Sequence, residues 1–291
     1  MATVNVIIPT TCDLRREDLI HRAINSVLKQ EQADFELTLV VNGSRVDESL
    51  LNRLSARPIK IIRLAEGNVS QARYAGIVAT RGDFFCFLDD DDEFLDGALA
   101  HRLTLFDKDV DCVVTNGWEH SDKDCRLVPV EVATMVAHSP ALAFVRHNWF
   151  ASPGSMFRRG SLDIKLFDIG HRYFEWTLLF FLLISGGKRI RYDDALTYRV
   201  WQDSPMSASR TIEYKMAHAH VLGELLGLRL EGEVLAALRL KRQTALNSQS
   251  QLQMEQRQWL NAWRSHVACI MAGGWRYLLF TRKLLFSRHL P

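Results

Sequence analysis

The sequence has no long hydrophobic run. The longest, Trp176 to Ile184, falls far short of the ~18–20 apolar residues that a membrane-spanning helix needs. Paired cysteine motifs are also missing. Cys12, Cys86, Cys112, Cys125 and Cys269 form an odd, scattered set with no CxxC pair, which argues against a disulfide framework or a structural zinc site and fits reduced cytosolic thiols. Charge of one sign is not in excess: 36 Lys and Arg oppose 34 Asp and Glu, a net +2, so nothing global recommends nucleic acid as a partner. No glycine-rich loop follows the first apolar segment. Pro9-Thr10-Thr11-Cys12-Asp13 stands where a dehydrogenase would carry GxGxxG and a nucleotidyltransferase a phosphate loop. The N-terminus has no basic region, and its apolar run stops at Pro9, so it reads as a buried strand rather than a signal peptide. A cytoplasmic protein is expected. What remains is an ordinary globular composition, with 47% hydrophobic residues in 291. That length allows one large core, or a domain of about 200 residues with an appendage.

Strand and helix signals alternate through the first half. Val4–Ile8 is a continuous β-branched run, as in a strand buried on both faces. Between Glu17 and Gln30, apolar residues recur at spacings of three and four, which predicts an amphipathic helix. A strand over Phe35–Val41, a helix over Asp47–Ala56, a strand over Ile59–Leu64, a helix over Ser70–Thr80 and a strand over Asp83–Leu88 continue the pattern. Repeated βα units imply a mostly parallel sheet covered by helices, with ligands at the carboxyl ends of the strands. Further on, Asp111–Glu119 reads as a strand, Ser121–Asp124 as a turn, Ser139–His147 as a helix and Pro153–Arg159 as a short strand or loop. Tyr173–Ile184 reads as a buried helix ended by Gly186-Gly187, and Lys188–Val200 as two short strands. Beyond Ser209, Leu, Ala, Arg and Gln dominate and proline is absent until Pro291, which predicts a helical region. We therefore expect residues 1–208 to form an α/β domain and 209–291 a helical C-terminal region.

The most informative segment is Phe84-Phe85-Cys86-Phe87-Leu88 followed by Asp89-Asp90-Asp91-Asp92. Four adjacent carboxylates at the mouth of a buried strand repel one another unless a cation is present. Mg²⁺ and Mn²⁺ take carboxylate oxygens together with phosphate oxygens. The plainer alternative is a solvated acidic loop that caps the next helix.

Five motifs in order carry a resemblance over residues 3–205. They are Val6-Ile7-Ile8-Pro9-Thr10, Ala23–Gln30, Val40-Val41-Asn42-Gly43-Ser44, Asn68–Ile77, and Gly82-Asp83 through Asp92. The chain resembles the inverting nucleotide-sugar glycosyltransferases of family 2, with the GT-A fold. The resemblance implies a nucleoside diphosphate sugar donor and a saccharide or lipid-linked acceptor. It places Pro9 and Thr10 at the nucleobase, and Asn42 where the family usually has a base-reading carboxylate. Asn68 and Arg73 would approach the nucleotide, Asp89 and Asp90 the ribose, and Asp91 would ligate a divalent cation, Mn²⁺ or Mg²⁺, on the diphosphate. Asp92 would stand behind it as a further ligand or support. The family's acidic pair becomes Phe174-Glu175, making Glu175 the candidate general base, with Asp168 and His171 in reserve. A histidine usual after the late strand is absent from Gln202-Asp203-Ser204, which leaves Arg199, Arg210 or a tail residue to assist the leaving group. Val41 and the absent histidine keep open a non-catalytic scaffold or nucleotide-sugar-binding subunit.

The tail from Gln258 onward interleaves tryptophan, leucine and phenylalanine with arginine and lysine. That pattern suits an amphipathic helix on a membrane surface, or a helix packed on protein. A peripheral position on the inner face of a membrane is the corresponding expectation.

Overall fold

The computed structural model describes residues 2–120, 124–201 and 211–286. The chain divides into two compact units, 1–204 and 205–291. The expected boundary at 208/209, most of the predicted turn at 121–124 and the Arg210 candidate lie outside the described residues.

In the first unit the β-branched N-terminal run forms β1 (Thr3–Thr10), paired in parallel with β2 (Asp34–Asn42) on one side and β4 (Phe84–Phe87) on the other. β3 (Lys60–Leu64) adds beyond β2, also in parallel. Three helices make the crossovers: α1 (Glu17–Leu28), α2 (Glu48–Ser55) and α3 (Val69–Ala79). The starts of α2 and α3 are written locally, since Asp47 accepts the Leu50 amide at 2.9 Å and Asn68 accepts those of Ser70 and Gln71. α3 packs so closely on the sheet that a Cβ on Gly76 would lie 2.5 Å from Ile7.

The sheet order is β3-β2-β1-β4-β8-β6-β9-β5. The remaining strands are β5 (Glu93–Phe94), β6 (Cys112–His120), β7 (Cys125–Arg126), β8 (Ser155–Arg158) and β9 (Ile190–Trp201). β8 runs antiparallel between β4 and β6, whereas β6 and β9 are parallel. The chain proceeds from β1 outward to β3, then returns to the opposite side of β1 with β4. A crevice therefore opens between the carboxyl ends of β1 and β4.

The helices α4 (Ala98–Thr104), α5 (Val132–His138), α6 (Pro140–Arg146) and α7 (Glu175–Ser185) complete this unit. Sequence periodicity misses α4 and α5, each only seven residues long. The sequence reading also divides β9 into two short strands over Lys188–Val200. The strand instead runs through with register shifts against β6. Its acids are answered by neighbours: Asp194 accepts from the Asn116 side-chain amide at 2.9 Å and pairs with Arg126, and Asp193 meets His101 at 3.0 Å.

In the turn that leads into β8 the backbone passes very near an aromatic ring. A Cβ on Gly154 would stand 2.5 Å from the Thr115 carbonyl oxygen and 2.8 Å from the ring of buried Tyr198. Gly154→Ala is expected to destabilise the protein by about 1–3 kcal/mol, the usual range for overpacking. Chemical denaturation checks this, and an unchanged midpoint would refute the packing described.

The second unit is helical: α8 (Ile212–Leu225), α9 (Gly232–Glu255), α10 (Trp259–Met271) and α11 (Phe280–Phe286). α9 and α10 are joined by polar contacts as well as apolar ones. The Ser250 hydroxyl donates to the Ala262 carbonyl at 2.7 Å, and the Ser265 hydroxyl to the Gln253 side-chain oxygen at 2.8 Å. α11 lays Phe280 and Leu284 against Ala262.

Candidate active site

Three chain segments meet at the crevice. β1 ends at Thr10, whose hydroxyl donates to Asp90 Oδ2 at 2.5 Å, joining the two strands at the switch point. The Thr10 hydroxyl oxygen in turn accepts the Cys12 amide at 3.0 Å. β2 ends at Asn42, whose side-chain amide donates to the Thr10 carbonyl at 3.0 Å. The acidic run then begins one residue past Leu88, which is itself hydrogen-bonded to β1 through Ile7.

Arg73 is the cation at the centre of this arrangement. It comes from the first turns of α3, and its side chain is only 8% exposed. One nitrogen donates to Asp89 at 2.7 Å and another to Glu175 at 2.9 Å. It thereby joins the strand-end cluster to the start of α7. Although burial alone would lower the guanidinium pKa, the two carboxylates hold it above its ordinary value. Arg16 is the second cation. It pairs with Asp90 and lies 3.0 Å from Asp91. Arg22 in α1 donates to the Asp91 backbone oxygen.

Glu175 is held rigidly. It is the first residue of α7, and the neighbouring Trp176 packs edge-on against Phe87 at 5.7 Å and on Phe150 at 5.6 Å. Phe87 belongs to the same strand that delivers Asp89, so one aromatic cluster positions both carboxylates. Phe174, just before Glu175, has φ +61°, and Cys12, just after β1, has φ +51°. Two of the four described non-glycine residues with positive φ thus adjoin this site, as strained backbone often does at functional centres. Beside Glu175 lies a recess lined by Ser70, Arg73, Phe167, Ile169, Trp176 and Leu179.

The charges do not balance locally. Asp89–Asp92 and Glu175 supply five carboxylates, and only Arg16 and Arg73 pair with them among the cations just named. Burial first, then Asp89 and Asp90, push the Asp91 pKa above the ordinary carboxylate range. Asp92 is raised well above it, by burial and then by Asp89 and Asp91. A surplus of hard oxygen donors of this kind fits a divalent cation such as Mg²⁺ or Mn²⁺. Among the described residues, no group of three or more His, Cys, Asp or Glu side chains is arranged to hold a metal by itself.

The family model described as "Glycosyl transferase family 2" matches residues 5–166, more than half of the chain, a span that holds all three segments and ends before Glu175. The protein belongs to this family. Among its relatives, the uncharacterized glycosyltransferase EpsJ of Bacillus subtilis is 28% identical over 233 residues, 74% of this chain and 64% of that protein. The GalNAc(5)-diNAcBac-PP-undecaprenol beta-1,3-glucosyltransferase of Campylobacter jejuni is 31% identical over 130 residues, 43% of this chain and 38% of that one. The chain thus spans less than two thirds of the length of either relative. In fold it is similar to residues 1–349 of S. aureus TarS in complex with UDP-GlcNAc, with a TM-score of 0.62 at 18% identity, covering 92% of this chain and 81% of that one. The mannosyltransferase PcManGT of Pyrobaculum calidifontis, in complex with GDP-Man and Mn²⁺, aligns with a TM-score of 0.52 at 16% identity, covering 94% and 87%. The fold is GT-A, an α/β sheet flanked by helices.

Of the residues the family resemblance singles out, Thr10, Asn42, Arg73, Asp89, Asp90, Asp91 and Glu175 converge on the crevice. Pro9 lies within β1, paired with Val40. The Asn68 side-chain oxygen is engaged in capping α3, which aims that helix, and Arg73 with it, at the acidic run. Asp168 is exposed at the end of a short 3-10 turn, and the His171 carbonyl accepts from the Ser70 hydroxyl at 3.3 Å. Glu175 is bridged to the acidic run through Arg73. Arg199 is engaged by Glu93 at 2.7 Å and by Asp124 at 3.5 Å. Arg16 and Arg22 escape sequence reading. They stand in and just after the segment that follows β1, but only the fold shows that they face the acidic run beyond β4.

Proposed function

We propose that this family 2 protein is a metal-dependent inverting glycosyltransferase. It moves a sugar from a nucleoside diphosphate sugar to a hydroxyl of a saccharide or lipid-linked acceptor, in cytoplasmic glycoconjugate biosynthesis. The observation that carries this reading is the Arg73 bridge, which holds Glu175 and the acidic run on opposite sides of one guanidinium.

In this reading Thr10 and Asn42 border the nucleoside, and Asp89 and Asp90 face its ribose. Pro9 and Asn68 shape the walls. Asp91, with Asp92 behind it, would hold the cation. Held there, it would supply Lewis-acid stabilisation of negative charge on the diphosphate. Glu175 takes the proton of the acceptor hydroxyl while that oxygen attacks the anomeric carbon. The bond from that carbon to the diphosphate oxygen breaks, its electron pair leaves with the nucleoside diphosphate, and a single displacement inverts the configuration. Trp176 and Ile169 give the recess beside Glu175 an apolar lining. The undecaprenol-linked name of the Campylobacter relative supports a lipid-linked acceptor. The UDP-GlcNAc and GDP-Man complexes of the structural neighbours support a nucleotide-sugar donor, and Mn²⁺ in one supports the cation.

A panel of nucleoside diphosphate sugars with Mn²⁺ or Mg²⁺ tests the reading. One donor is expected to raise the melting temperature by several degrees, through binding to the native state alone, and to release nucleoside diphosphate slowly. EDTA should abolish both effects. Donor binding without any release would favour the scaffold alternative, and no binding by any donor would overturn both readings.

A further inference from the structure

The second unit carries a feature that the transfer reaction does not use. Eight of the thirteen large hydrophobic residues found exposed among the described residues lie between Leu260 and Phe286, so exposed apolar surface is concentrated in a tenth of the chain. On α10 it is ordered. Leu260, Val267 and Met271 follow at spacings of seven and four, which puts them on one face together with Arg264. The opposite face, with Ala262, Ser265, His266 and Cys269, is buried. Met271 is 82% exposed. The segment after α10 continues in kind, with Trp275 and Leu279 exposed while Phe280 and Leu284 pack inward.

Charge identifies the occupant. From Gln256 to residue 291 the sequence contains six Arg and Lys residues and no Asp or Glu. A protein partner or a second copy of this face would have to cover the cations with acids, and this region has none to offer itself. An anionic lipid surface satisfies both features at once, taking the apolar side chains below the headgroups and the guanidiniums at the phosphates. No described helix is long and apolar enough to cross a membrane, so the contact is interfacial. We propose that α10 and the segment through α11 dock the protein on an anionic lipid bilayer, with Leu260, Val267, Met271, Trp275 and Leu279 as the inserted residues. This goes beyond the catalytic reading and stands or falls separately from it.

The test is co-sedimentation of the full chain with phosphatidylcholine vesicles, with and without phosphatidylglycerol. Binding is expected only to the anionic vesicles and is expected to weaken as salt is raised. The double variant Met271→Glu, Leu279→Glu alters two highly exposed positions and should fold normally, which circular dichroism checks. Its partition coefficient is expected to fall about tenfold or more. Arg264→Glu should lower binding to anionic vesicles, and Val130→Glu, an exposed site in the other unit, should leave it unchanged. Equal sedimentation of the double variant and the parent would overturn the proposal, as would no sedimentation of the parent. A parent that is dimeric by light scattering and becomes monomeric on Met271→Glu would also overturn it, by giving the face to a second copy.

Discussion

Glu175→Gln is expected to lower the rate of sugar transfer by about 10²–10⁴-fold, the range typical for loss of a general base. The amide keeps the size of the side chain, and its oxygen can still accept from Arg73, which lies 2.9 Å from the carboxylate. The link to Asp89 through Arg73 should therefore persist, and donor affinity should change little. What disappears is the capacity to take a proton from the acceptor hydroxyl. The expected signature is a fall in kcat with a nearly constant Kd for the nucleoside diphosphate sugar. Normal turnover would move the base to Asp168 or His171. Loss of donor binding along with turnover would mean that Glu175 matters through Arg73, as a positioning residue.

Asp91→Asn is expected to remove metal-dependent turnover and the stabilisation by Mn²⁺ in a thermal melt. Burial and the neighbouring Asp89 and Asp90 disfavour the ionised Asp91 carboxylate in the protein without metal. A divalent cation reverses that balance, because it interacts far more strongly with the carboxylate than with an amide. The substitution therefore removes the cation's main anchor while relieving repulsion in the metal-free protein. The melting temperature without metal should hold or rise slightly. The upshift on adding Mn²⁺ should shrink to near zero. Retention of a full upshift together with full activity would refute the assignment of Asp91 and move the ligand to its neighbours.

Much of the first unit is legible in the sequence because its signals are local. β1 and β4 are apolar runs that only a strand buried on both faces explains, and Asp47 and Asn68 announce their helices by capping chemistry. The acidic run stands out for the same reason, since carboxylates beside a buried apolar segment are costly without a partner, whereas Glu175 is marked by the family resemblance alone. β9 was less legible. It reads as two short strands, and only Asn116, Arg126 and His101, all at least 68 residues away in sequence, make the Asp193-Asp194 pair tolerable inside a single strand. α4 and α5 are short and lack the side-chain N-cap and first-turn proline that mark the equally short α6.

The partners of the acids belong to tertiary structure alone. Nothing in the spacing of Arg16, Arg73 and Glu175 says that they meet Asp89–Asp91, since the Arg73–Glu175 contact closes 102 residues and the Arg16–Asp90 contact closes 74. The sheet order decides it. Placing β4 beside β1 brings Thr10 and Arg16 to the acidic run, and seating Trp176 on Phe87 brings Glu175 to Arg73. The sequence by itself determined the residue types that a metal, a diphosphate and a proton transfer require, because those follow from side-chain chemistry. It also determined the basic, tryptophan-rich character of the tail. Which acids are paired with arginine, and which tail residues are buried and which exposed, was decided by packing, because long-range contacts depend on strand order and helix rotation rather than on neighbours in the chain.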